Sequence, residues 1–79
     1  MGSEQGREPR PGRYRHYRGR YYEVIGVARH SETEEELVVY RPLYEASWPL
    51  WVRPRAMFIE AVTIDGREVP RFERVGEME

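Results

Sequence analysis

The sequence predicts an all-β domain of five or six short antiparallel strands, and three observations carry that expectation. Runs rich in β-branched and aromatic residues alternate with glycine, proline and polar punctuation. An Asp-Gly pair, the strongest short-range hairpin signal, sits between two such runs. No segment repeats apolar residues at helical spacing for long enough to build a real helix.

The elements follow in order. Met1 to Gly12 (MGSEQGREPRPG) joins glycine, proline and charge with no large apolar residue beyond Met1, so it reads as a disordered leader, 1–12, unable to offset its own ordering entropy. Arg18-Gly19-Arg20 should turn Tyr14 to Tyr17 back onto Tyr21 to His30 (YYEVIGVARH), where Gly26 inside an apolar run marks a bulge or bend. Ser31 to Glu35 (SETEE) is a polar connection with capping potential for one helical turn. Glu36 to Tyr44 (ELVVYRPLY) and Leu50 to Arg53 (LWVR) are the next strands, and Arg53 to Met57 is suited to a short 3₁₀ turn before Phe58. Ala61 to Ile64 and Glu68 to Phe72 flank Asp65-Gly66, whose residues tolerate the positive φ of a type I′ turn. The tail 75–79 (VGEME) reads as disordered. Short strands with tight turns across 13–74 point to one small SH3-like barrel, an arrangement that removes exposed sheet edges.

Composition sets the functional limits. A chain of 79 residues can bury one modest core, and with no cysteine it must hold that core without disulfides or thiolate metal sites, which suits a reducing cytoplasm. No apolar run approaches the length of a membrane span or of a signal peptide core, so neither a membrane nor export is expected. The net charge of −1 conceals an uneven spread, with six arginines from Arg7 to Arg20 and four glutamates between Glu32 and Glu36. All 13 basic residues are arginine, which the codon usage of a GC-rich genome explains throughout the chain at once.

Candidate chemistry lies in three places. Arg13 to Tyr22 (RYRHYRGRYY) interleaves cations with rings, the combination that single-stranded nucleic acid asks for, and makes Tyr14, Arg15, His16, Tyr17 and Arg18 ligand-binding candidates. Strand alternation opposes this, because successive side chains face opposite ways and tyrosines of small barrels belong to the core. His16 and His30 invite a metal or acid–base reading, but about eight residues at about 3.3 Å each separate them unless the strand bends at Gly26. A histidine beside a polar turn more often hydrogen-bonds that turn, so no metal and no cofactor is expected. Ser31 adjoins His30 on the opposite face and Asp65 belongs to a turn, which leaves no serine triad; Glu23 and Glu60 are candidates for a carboxylate pair, but a solvated face or pairing with Arg29 and Arg53 ranks above it. Third, Pro42, Tyr44, Trp48, Pro49, Trp51 and Pro54 form an aromatic and proline cluster fit for a peptide groove, with Trp51 expected in the core, Trp48 free to bind and Arg53 beside them. A recognition module for peptide, protein or single-stranded nucleic acid therefore ranks above the alternative, a small enzyme or enzyme accessory domain using His16, His30 and a glutamate.

The runs YRHYRG (Tyr14 to Gly19), YEVIGVARHSET (Tyr22 to Thr33), ELVVYRPLY (Glu36 to Tyr44), LWVRP (Leu50 to Pro54) with Met57 and Phe58, and DGREVPRF (Asp65 to Phe72) resemble the bacterial domain-of-unknown-function family 1653. The resemblance implies a small SH3-like barrel and no activity. The loop Glu45 to Pro49 (EASWP) departs from the shorter, glycine-containing connection of that family, so no role carries over to Trp48.

Overall fold

The structure, a computed structural model, describes residues 9–78. Its elements are β1 (Gly12–His16), β2 (Tyr21–Arg29), β3 (Glu36–Pro42), β4 (Trp51–Pro54), a one-turn helix α1 (Arg55–Phe58), β5 (Ala61–Ile64), β6 (Arg67–Pro70) and β7 (Phe72–Gly76). All pairing is antiparallel: a five-stranded sheet in the order β4-β3-β2-β1-β7 and a separate β5–β6 hairpin.

The edges of the large sheet, β4 and β7, do not pair with each other, so hydrogen bonds do not close the barrel expected from the turn spacing. The sheet nevertheless curls. β3 and β7 are three strand steps apart, about 14 Å in a flat sheet, yet the rings of Tyr40 and Phe72 lie 5.7 Å apart. Phe58 of α1 fills the concavity, stacked on Phe72 at 4.1 Å and edge-on to Tyr14 and Tyr40 at 5.6 Å each. Closure is thus aromatic rather than by a ladder.

Alternation selects the core. Tyr14 of β1, Tyr22 and Val24 of β2, Val38 and Tyr40 of β3, Phe58 of α1 and Phe72 of β7 are buried on one concave face. The bend expected at Gly26 is a bulge: Val24 pairs with Tyr40 and Gly26 with Val39, leaving Ile25 as the extra residue. One inserted residue exchanges the faces of everything after it, so Val27, not Gly26, shares a face with Val38. Asp65 and Gly66 take φ of 52° and 78°, the conformation that a type I′ turn demands, and β5 pairs β6 in register across them. At the base of this hairpin, Arg71 donates its N–H to the Glu60 carbonyl at 3.1 Å while its guanidinium meets the Glu60 carboxylate at 2.9 Å.

Several expectations change. Among the described residues there are seven strands, because the run expected as Glu68 to Phe72 ends at Pro70 as β6 and Phe72 opens a further strand, β7, that reaches Val75 and Gly76; β1 begins already at Gly12. Residues 1–8 of the expected leader and Glu79 of the expected tail lie outside the described residues. Between them and β1, Pro9 is buried, Tyr14 Oη donates to the Arg10 carbonyl at 2.9 Å, and the Arg74 guanidinium donates to the Pro11 carbonyl at 3.0 Å. Gly12 has φ 148°, and a Cβ there would meet the Gly76 carbonyl at 2.6 Å, so only glycine fits this crossing. Trp51 is not a core residue: it is 37% exposed, its ring lies 6.4 Å from Tyr40, and Nε1–H donates to the Trp48 carbonyl at 3.0 Å. β4 is an edge strand, so Trp51 reaches the rim of the core while Phe58 takes the centre.

Two outcomes follow. Phe58→Ala should cost about 3–5 kcal/mol and Trp51→Ala under about 2 kcal/mol, read from urea midpoints; equal losses would place Trp51 back in the core. A chain beginning at residue 13 should be less stable than one beginning at residue 9 by about 1–3 kcal/mol, since it leaves the buried Tyr14 hydroxyl and the Arg74 guanidinium without their carbonyl partners; coincident melting curves would show that these contacts contribute nothing.

Candidate functional site

Strand alternation divides the arginine–tyrosine segment between two surfaces. Tyr14, His16 and Tyr22 face inward and Arg13, Arg15 and Tyr21 outward, since Arg13 opposes Glu23 and Arg15 opposes Tyr21. The outer face carries its own countercharges. Glu23 sits between Arg13 and Arg41 in register and binds Arg41 at 2.6 Å, and Arg15 lies opposite Glu73. Of the expected acid pairs, Glu23 takes Arg41 rather than Arg29, which meets Glu36 at 3.8 Å, and Glu60 takes Arg71 rather than Arg53. The register explains both, as it sets Arg41 beside Glu23 and the hairpin base sets Arg71 beside Glu60.

The sequence candidates therefore separate. Tyr14 is a core ring. Arg15 and Tyr17 line a groove of about 290 Å³ with Ile64, Val69, Pro70 and Glu73, between the sheet and the hairpin. Arg18 is exposed and donates from Nε to Tyr17 Oη at 3.1 Å. His30 caps its own turn: Nδ1 accepts the N–H groups of Glu32 and Thr33 at 3.1 and 3.3 Å, the role that a histidine beside a polar turn ordinarily takes. Trp48 stands 71% exposed in its loop. Among the described residues no group of three or more His, Asp or Glu side chains is placed to hold a metal ion.

His16 and Arg53 do come together, at the rim of the concave core. Antiparallel partners share a face, so Trp51 and Arg53 point inward with their partners Tyr40 and Val38. Arg53 lies over the Phe72 ring at 5.6 Å and donates from Nε to Tyr40 Oη at 3.3 Å. His16, the register partner of Phe72, meets its ring edge-on at 4.8 Å, while Nδ1 accepts the Arg18 N–H at 3.1 Å. That bond fixes the tautomer, because a neutral imidazole accepting at Nδ1 carries its proton on Nε2. Further along the rim, Tyr22 and Tyr44 share a hydroxyl hydrogen bond of 3.0 Å, and Arg20 lies 4.4 Å over the Tyr44 ring.

The electrostatics of this rim are one-sided. Neither Arg20 nor Arg53 has a carboxylate within ion-pair distance among the described residues. Burial, with Arg53, Arg71 and Arg18 as nearby positive charges, holds the His16 imidazole below the usual histidine value. Burial, aided by the shared hydrogen bond with Tyr44, pushes the Tyr22 phenol up and keeps it protonated. Sequence reasoning placed Arg20 and Tyr22 in the arginine–tyrosine segment and Tyr44 in the aromatic cluster, but it missed Tyr40 and Phe72 as parts of a site and did not join the two groups. Tyr40 and Phe72 read as ordinary strand residues until the curl brings them to the rim.

The displaced histidine gives a pH dependence. A folded-state value below the unfolded one means that the unfolded chain takes up the proton first, so this contribution to stability is intact above about pH 6.5 and is lost as pH falls through the folded value. An NMR titration of the His16 ring should give a midpoint below about 6.5, moved upward but not fully restored by Arg53→Ala, since burial is the larger cause. A wild-type midpoint at or above the usual value would refute the one-sided field.

Comparison with known proteins agrees with this architecture. The profile of the family described as "Protein of unknown function (DUF1653)" matches residues 12–74. A crystal structure of a DUF1653 protein from Bordetella bronchiseptica is similar to this chain at 42% identity, covering 89% of this chain and 91% of that one, with a TM-score of 0.82. No curated protein matches the chain. The profile spans β1 to the middle of β7, and thus the strands, α1 and the rim together: the chain belongs to the DUF1653 family.

Proposed function

We propose that this protein is a non-catalytic recognition module, built on a curled, SH3-like sheet, whose working surface is the concave rim around His16, Arg53, Tyr22 and Tyr44. The observation that carries the reading is the convergence of Arg53 and His16 on Phe72 with no carboxylate partner for Arg53 among the described residues. A guanidinium half-buried against rings and left uncompensated is costly to the fold, and a ligand group that compensates it is the simplest reason for its placement. Trp51, half-exposed beside it on the same face of β4, supplies apolar contact area at low entropic cost.

The geometry favours binding over chemistry. His16 Nδ1, the nitrogen that would act as a base, is occupied by the Arg18 N–H, and the glutamates nearest in sequence logic, Glu23 and Glu60, are engaged by Arg41 and Arg71. His30 is tied into its turn. The nucleic-acid reading of the arginine–tyrosine segment loses its main support, because its outward arginines lie beside Glu23 and Glu73 and its inward rings are core. A peptide, protein or small-molecule group entering the rim is the reading that remains.

The test is a ligand-observed NMR screen of the full chain against a mixed set of anionic, neutral and cationic small compounds. Bound compounds should perturb the amides of His16, Arg53 and Phe72, and binding should fall about tenfold or more in Arg53→Ala but persist in Arg15→Ala. Compounds that map instead to the Arg15 and Tyr17 groove, or that are chemically converted, would overturn it.

A further inference from the structure

Resting on the reading of the rim as a recognition surface, we propose that its His16–Arg53 end is an oxyanion site, which receives a phosphate or carboxylate group. The argument is an inventory of donors and acceptors. Arg53 spends Nε on Tyr40 Oη, and its two Nη groups have no partner among the described residues. His16 presents Nε2–H, because Nδ1 is held by the Arg18 N–H. Arg71, close enough to depress His16, gives Nη2 to Glu60, and its buried Nε has no hydrogen-bond partner. Among the described residues the side-chain nitrogens named here are all donors, save the His16 Nδ1 already held by Arg18, and the Glu60 carboxylate beside them is already engaged by Arg71.

Shape narrows the choice. A guanidinium offers a planar pair of N–H groups that matches two oxygens of one anion, whereas neutral acceptors satisfy only one of them. Arg53 is held in place by the Phe72 ring and the Tyr40 hydroxyl, so little side-chain freedom remains to be lost when a ligand arrives. Arg18, Arg53 and Arg71 around a neutral imidazole form a local excess of positive charge that a bound anion offsets. Other surfaces carry less. The groove beside Arg15 is lined also by Glu73, its register partner, and the exposed arginines of β2 and β3 meet Glu36 and Glu23.

The experiment follows the His16 ring signals of the full chain at pH 7.5 while sodium phosphate, sodium acetate or sodium chloride is added at matched ionic strength. A saturable shift with phosphate or acetate and none with chloride is expected, the tighter of the two naming the group that the site prefers. The affinity should fall about tenfold or more in Arg53→Gln, which keeps a donor for Tyr40 Oη, and in Arg53→Ala, and should be unchanged in Arg13→Ala on the outer face. A linear response shared with chloride, or a shift of equal strength in Arg53→Gln, overturns the oxyanion site. If uncharged compounds from the screen still bind through Arg53 in that case, the recognition surface stands and only its ligand class falls.

Discussion

The stacked pair of Phe58 and Phe72 is the contact on which the other parts of the structure depend. A five-stranded sheet with unpaired ends can curl, but its concave face stays wet unless something fills it, and in a chain this short only a ring from outside the sheet can reach. Phe58 does so because α1 is a single turn set directly after β4, and Phe72 meets it from the opposite edge at 4.1 Å. With that stack in place, Tyr14, Tyr22 and Tyr40 pack around it, and each buried phenol brings a hydroxyl that must find a partner. The partners are the Arg10 carbonyl, Tyr44 and Arg53. The rim is therefore the polar border of the core, and its chemistry follows from the choice of tyrosine over leucine.

Much of this was legible in the sequence, and the parts that were not share one cause. Asp65-Gly66, the Gly19 turn and the Gly26 bulge are local devices whose effect is confined to a few residues, and each could be read from residue type alone. The role of His30 was equally local. What escaped was everything set by register between distant strands. Trp51 and Phe58 are similar apolar candidates seven residues apart, and only the pairing of β4 at the sheet edge, with α1 folded beneath, decides which one is central. The partner of Glu23 is likewise fixed by which residue of β3 lies opposite it. Curl, a property of the whole sheet, is what joins His16 to Arg53, so the rim had no signature within any single segment.

Charge is distributed with the same logic. On the outer face, carboxylates stand among the arginines and the exposed pairs contribute about 1 kcal/mol or less each. On the inner rim the arginines are oriented by rings and hydroxyls instead. A near-neutral net charge thus conceals a spatial sorting: among the described residues Arg20 and Arg53 of the rim have no ion-pair partner, whereas Arg29 and Arg41 do.

An unclosed sheet also leaves two borders whose unpaired backbone groups are a template for another polypeptide, the usual route to uncontrolled aggregation. Both borders are built to discourage it. β4 is four residues long, follows Pro49 and ends in Pro54, whose nitrogen has no hydrogen to donate. β7 is five residues long and alternates Glu73 and Arg74 into its middle. The brevity and charge of these strands make main-chain pairing at either border unfavourable, so the backbone of this sheet offers a poor template to another strand.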